Sequence, residues 1–256
     1  MPDGVLYEPE PFRPAWWLPG GHAHTIAGRF IRPLDRGPLR AERLELPDGD
    51  FVDLHEGPET LPTDSPIVLI LHGLEGCYAS NYVATVSRAL AAEGIRAIRF
   101  NFRGCSGAMN RLARFYHAGE TGDLHQVIAA IRERSPAAPL GAVGFSLGGN
   151  VLLKYLGERG AEAREGLAAA AAVSVPFDLA AGTRRLEEPG LTRVYMRYFI
   201  RKLRRKARAK REVLAPACEV DRAIGARTIR AYDDALTARL HGFRDAWHYY
   251  DESSSA

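Results

Sequence analysis

The chain has 256 residues, 25% of them charged and 46% hydrophobic, with a formal net charge of +3. A polypeptide of this length and composition buries a sizeable core unaided, so disorder, collagen-like structure and a disulfide-dependent miniprotein are excluded. The charge is uneven: residues 193–211 hold ten Lys and Arg and no acid, which makes any basic surface local and argues against a general nucleic-acid binder. Three cysteines, Cys77, Cys105 and Cys218, stand at irregular spacing without a CxxC pair, so neither a disulfide framework nor a zinc site is expected. The first residues lack the basic start and apolar run of a signal peptide, and no apolar run reaches membrane-spanning length. A cytoplasmic protein is the expectation.

Residues 1–38 are rich in Pro, Gly and aromatic residues, including Trp16 and Trp17, and show little periodicity. They read as an arm on the outside of a core. Residues 43–46 and 51–54 flank Pro47-Asp48-Gly49-Asp50, which reads as a β-hairpin. The run 66–72 (PIVLILH) is apolar throughout, as in a strand buried on both faces. Residues 81–93 follow a helical stripe and stop at Gly94. Strand 95–101, helix 123–134, strand 140–145 and helix 147–156, followed by Gly157, continue the alternation. Residues 168–175 are alanine-rich and helical by propensity, but their place in the alternation makes them a strand. Such alternation gives a mostly parallel sheet with helices on both faces. After Phe177 the alternation ends. The remaining residues are mostly helical, with Leu191, Val194, Tyr195, Tyr198, Phe199 and Leu203 on one side of a basic helix.

Two motifs carry chemistry. Gly144-Phe145-Ser146-Leu147-Gly148, followed by Gly149, lies where strand 140–145 turns into helix 147–156. A serine on so sharp a turn has strained backbone angles and needs neighbours without a Cβ. The turn pushes its Oγ beyond the sheet edge and sets the Leu147 N–H at a helix start, where an oxyanion is favoured. His72-Gly73-Leu74-Glu75-Gly76 follows the first buried strand, and its glycines let the loop approach the same edge. The Leu74 N–H is then the second candidate oxyanion donor.

These two motifs, with Asn101-Phe102-Arg103-Gly104-Cys105-Ser106-Gly107, the run from Tyr116 to Leu124 (YHAGETGDL), Val175-Pro176-Phe177-Asp178-Leu179, Leu240-His241-Gly242-Phe243 and the arm segment PAWWLPGGHAHTIAGRF, resemble the YheT-type branch of the α/β-hydrolase superfamily. His24 stands where that branch usually has Gln. The resemblance covers nearly the whole chain. It implies an N-terminal arm over 1–38, an α/β-hydrolase core over 39–182 and a helical lid region over 183–256. It also implies a serine nucleophile at Ser146 acting on carboxylic esters or acyl lipids, with no metal or organic cofactor.

In that family the triad acid and histidine follow later strands, after the lid. No strand can be read after Val175 here, so the expectation is that the C-terminal segment carrying acid and base is missing. His241 and His248 follow Ser146 but read as packed lid residues. His72 and His117 match motif positions outside the family triad. Asp178 is not the family's acid, and Asp123 reads as a helix cap. Triad acid and histidine therefore stay unassigned. Because a serine hydroxyl without a base is a poor nucleophile, a non-catalytic binding protein or truncated remnant is the alternative. The basic helix 193–211 adds a third reading, contact with an anionic membrane surface. No nucleic-acid motif accompanies it.

Overall fold

The computed structural model describes residues 11–30, 38–57 and 60–256. The chain divides into two units, Met1–Pro33 and Leu34–Ala256. Within the first, α1 (Gly20–Phe30) is an 11-residue helix. It corrects the expectation of an arm without periodic structure. Residues 1–10 and 31–37 of that arm lie outside the described residues.

In the second unit, β1 (Arg40–Glu45) and β2 (Phe51–Gly57) form the expected antiparallel hairpin. Its turn is closed by Gly49 at φ 82° and by Leu46 N–H donating to the Asp50 carbonyl at 2.8 Å. Then come β3 (Ile67–Leu71), α2 (Asn81–Ala92), β4 (Arg96–Asn101), α3 (Thr121–Arg134), β5 (Leu140–Phe145), α4 (Leu147–Arg159), the short α5 (Ala163–Gly166) and β6 (Ala169–Val173). The sheet order is β1-β2-β4-β3-β5-β6. Strands β3 to β6 run parallel, and the hairpin joins them antiparallel through β2 and β4. The carboxyl ends of β3 and β5 are therefore neighbours, with Leu71 opposite Gly144, and both chemistry-bearing loops emerge there.

Residues 169–173 pair with β5, so ladder formation overrides the helical preference of their alanines. Gly94, at φ 72°, ends α2 as expected. Gly157 does not end α4. The helix runs on to Arg159 and stops at Gly160, which supplies the positive φ that a helix terminus requires.

After β6 the described chain is helical: α6 (Leu179–Glu187), α7 (Thr192–Ala209), α8 (Arg211–Leu214), α9 (Val220–Gly225), α10 (Ile229–Tyr232), a π-helical turn over Asp233–Thr237, α11 (Ala238–Leu240) and α12 (Ala246–Ser253). These helices have a core of their own, formed by Met196, Ile200, Leu203, Ala207, Ala235 and Leu236 among others. The main core lies between the sheet and α3 and α4. The basic helix is not a wholly solvated cationic face. Lys206 and Lys210 turn inward and are buried.

Candidate active site

Ser146 stands between β5 and α4 with φ 52° and ψ −120°. A non-glycine residue there carries backbone strain, which persists only where the surroundings enforce it. They do so here. Ser146 N–H donates to the Val173 carbonyl at 2.8 Å, and its own carbonyl accepts from Asn150 N–H at 3.0 Å. The glycines permit the turn. A Cβ on Gly144 would lie 2.5 Å from the Gly148 carbonyl oxygen, and one on Gly149 would lie 2.7 Å from Val175 Cγ2. The bare α-carbon of Gly73 faces Ser146 in turn, since a Cβ there would meet Ser146 Cβ at 3.1 Å. Thus the loop after β3 touches the turn after β5, and the two motifs form one locus.

The loop is pinned from below. His72 is fully buried and its Nδ1–H donates to the Gly73 carbonyl at 2.8 Å, while Nε2 accepts from Phe102 N–H at 3.4 Å. Those partners fix the neutral tautomer, and burial pushes the imidazole down to about 3. Gly76 N–H also donates to the Gly73 carbonyl, at 2.9 Å. With that oxygen doubly held, the Leu74 N–H on the same peptide is turned the opposite way. Gly73 N–H donates to the Tyr82 hydroxyl at 2.8 Å.

Ser146, Leu147 and Leu74 line one cavity of about 330 Å³. Its walls are largely apolar, with Phe199, Leu203, Ile229 and Leu236 from the helical region, and Glu75, Lys206 and Asp233 supply buried polar groups. Burial pushes the Asp233 carboxyl up to about 6, against hydrogen bonds from Thr237 Oγ1 and the Tyr250 hydroxyl.

The other sequence candidates fall into different places. His117 lines the cavity, but its Nδ1 accepts from Gly119 N–H at 3.2 Å. Burial pushes it down to about 3, and burial, helped by His117 at a ring-centroid distance of 4.3 Å, pushes His241 down to about 2. His248 and Asp178 lie together in a separate polar groove. There Asp178 caps α6 through Ala181 N–H, and His248 accepts from Arg244 N–H. Asp123 is not the cap of α3. Glu120 accepts from its N–H, and the Asp123 carboxylate is held by Arg103 at 2.6 and 2.7 Å.

His117, Glu120 and His241 bring ligand-capable atoms within 4.8 Å of one another, the one such group among the described residues. Arg114 Nη2 already bonds Glu120 Oε2 at 2.6 Å, so a cation is in place beside that carboxylate. Sequence reasoning passed over Glu75, Tyr116, Cys105 and Lys206, which meet beneath the loop. Nothing in the spacing of these four residues signals the contact, because they come from four separate segments.

A profile of the α/β-hydrolase fold matches residues 66–211. The chain belongs to the α/β-hydrolase family. It is 38% identical to the candidate esterase YheT of Escherichia coli (strain K12) over 91% of this chain and 69% of that protein. It is 29% identical to phospholipase ABHD3 of Homo sapiens over 96% of this chain and 61% of that protein. It is 30% identical to the monoacylglycerol lipase of Saccharomyces cerevisiae over 74% of this chain and 43% of that enzyme. The chain thus spans between two fifths and seven tenths of the length of these relatives.

Proposed function

We propose that this chain is a serine hydrolase acting on carboxylic esters or acyl lipids through an acyl-enzyme on Ser146. The observation that carries the reading is the contact of Gly73 with Ser146, which lines a largely apolar cavity. Ser146 Oγ attacks the ester carbonyl carbon and its proton passes to a base. The carbonyl oxygen, now an oxyanion, takes hydrogen bonds from the N–H groups of Leu147 and Leu74. Collapse expels the alcohol and leaves the acyl group on Oγ, from which water releases it. The cavity lining suits an acyl chain. No base is assigned. The His72 nitrogens are both engaged and His117 Nδ1 is occupied.

Relatives named as esterase, phospholipase and monoacylglycerol lipase support the substrate class. The test is hydrolysis of p-nitrophenyl butyrate by the purified chain beside its Ser146→Ala variant. Turnover that depends on Ser146 is expected. Equal background rates in a cooperatively folded protein would end the enzyme reading and leave a binding protein.

One observation favours peripheral membrane contact alongside this activity. Arg193, Arg197, Arg201, Arg205 and Arg208 form an exposed stripe on α7. Leu191 and Val194, 57% and 55% exposed, flank its start. Cations beside apolar side chains fit an anionic lipid surface. Among the described residues no helix is long and apolar enough to cross a membrane. Flotation on vesicles containing phosphatidylserine should be lost when Arg197, Arg201 and Arg205 are replaced by Glu, and equal flotation would end this reading.

A further inference from the structure

Glu75 follows Leu74 directly, and each of its polar groups is engaged. Its N–H donates to the Tyr116 hydroxyl at 2.8 Å, and that hydroxyl donates to Glu75 Oε1 at 2.9 Å. Two lysines reach it from α7, one turn apart. Lys202 Nζ donates to the Glu75 carbonyl oxygen at 2.8 Å, and Lys206 Nζ to Glu75 Oε1 at 2.8 Å. Lys206 Nζ also lies 3.0 Å from Cys105 Sγ. Glu75 is held at φ 55°, a conformation that needs enforcement in a residue with a side chain.

The residue has few alternatives. Its side chain is 3% exposed and that of Lys206 10%. Burial alone would lower the Lys206 pKa, but Cys105 and Glu75 outweigh it and hold the ammonium charged. With both side chains largely out of solvent, parting the pair would leave two poorly hydrated charges, so it is tied to one geometry.

The same helix turns Phe199 and Leu203 into the cavity that contains Ser146. One rigid element therefore forms part of the acyl-chain wall and grips the residue next to the candidate oxyanion donor. A shift of α7 away from the core would break both lysine contacts at once and free Glu75 to leave its strained conformation.

We propose that Lys206 and Lys202 are positioning residues that let α7 hold the Leu74 N–H in its oxyanion-binding orientation, so that closure of the helical region and completion of the oxyanion hole are a single event. This rests on the ester-hydrolase reading above. The lysines act through Glu75 and are not required to touch substrate.

The experiment compares the full chain with Lys206→Met, Lys202→Met and the charge-free pair Glu75→Gln/Lys206→Met. The half-buried Lys202 is the safer substitution for folding, and the double variant leaves no buried charge unpaired. Two readouts are taken. Amide hydrogen exchange at residues 73–76 should speed up at least about tenfold while exchange in β3 is unchanged, as expected for a local opening. Ser146-dependent hydrolysis of p-nitrophenyl butyrate should lose about ten- to a hundredfold in kcat with KM within about threefold, the signature of a misplaced transition-state donor.

Exchange at 73–76 that is unchanged in all variants overturns the inference whatever the rates do. So does a wild-type kcat retained by Lys202→Met and by the double variant. Loosened exchange in the variants, combined with a wild-type protein that shows no Ser146-dependent turnover, overturns the hydrolase reading instead, and with it the catalytic purpose of the clamp.

Discussion

Gly148 presses its bare α-carbon against the carbonyl of His72: a Cβ placed there would stand 2.5 Å from that oxygen and 2.7 Å from the carbonyl oxygen of Leu71. Neither neighbour is a movable side chain, since both belong to the backbone at the end of β3. Gly148→Ala should therefore destabilise the fold by about 3 kcal/mol or more, because the backbone itself must shift. Gly157→Ala is the control. That glycine sits inside α4 with nothing within 4 Å of its built Cβ, so the change should stabilise by about 1 kcal/mol. Urea unfolding of both variants decides it, and equal signs would contradict the argument.

Ser146→Gly separates strain from chemistry. The wild-type residue sits at φ 52°, where glycine is at ease. The variant should gain about 1 kcal/mol in unfolding free energy while losing all turnover attributable to Ser146. A variant less stable than wild type would mean that the turn carries no strain worth relieving.

Acid should unfold the protein through its imidazoles. His72 and His117 are pushed down to about 3 and His241 to about 2, against about 6.5 for an unfolded chain. The unfolded state thus binds more protons below pH 6.5. Stability is complete above that pH and is lost as pH falls toward 3, by up to ~1.4 kcal/mol per pH unit for each ring. Asp233 works the other way. Its carboxyl is raised to about 6, so its contribution is present below about pH 3.8 and is lost as pH rises through 6. Because this opposes the imidazoles, Asp233→Asn should steepen the rise of stability with pH between about 4 and 6. A denaturation series across pH 3–8 on both proteins tests this, and parallel profiles would count against it.

Arg103 is the hub of a buried ion cluster. It is 2% exposed and reaches Asp48 at 2.8 Å, Asp50 at 3.1 Å and Asp123 at 2.6 Å. Removing only the cation leaves Asp50 and Asp123 in the interior without the guanidinium that bonds them both. Arg103→Met should cost about 3–5 kcal/mol. The triple change with Asp50→Asn and Asp123→Asn should recover part of that loss. A surface-like cost below about 1 kcal/mol would show that the cluster relaxes to solvent.

The parts visible in the sequence were those whose signal is local. The PIVLILH run fixed β3, the Asp48-Gly49 turn fixed the hairpin, and Gly144, Gly148 and Gly149 announced a serine turn that only such residues allow. The strand at 169–173 was readable only through its position, because its alanines speak for a helix and tertiary pairing decides against them. What stayed hidden depends on contacts distant in sequence. Lys206 looked like one more cation on a basic helix, and its burial against Glu75 follows from how α7 lies across the loop. Asp123 looked like a cap because it begins a helix, whereas Arg103, twenty residues earlier, draws its side chain away and Glu120 takes the capping role.

Asn150, in the first turn of α4, donates to the carbonyls of Ala118 at 2.9 Å and Ser253 at 2.7 Å, and accepts from Ser255 N–H at 3.1 Å. Two of these three bonds close loops of more than a hundred residues. The entropy of such closures sets them late in folding. On refolding from urea, burial of Tyr249 and Tyr250 should therefore lag behind formation of the sheet. A nascent chain would likewise carry its serine turn unfinished until residues 253–255 had emerged, long after Ser146 itself.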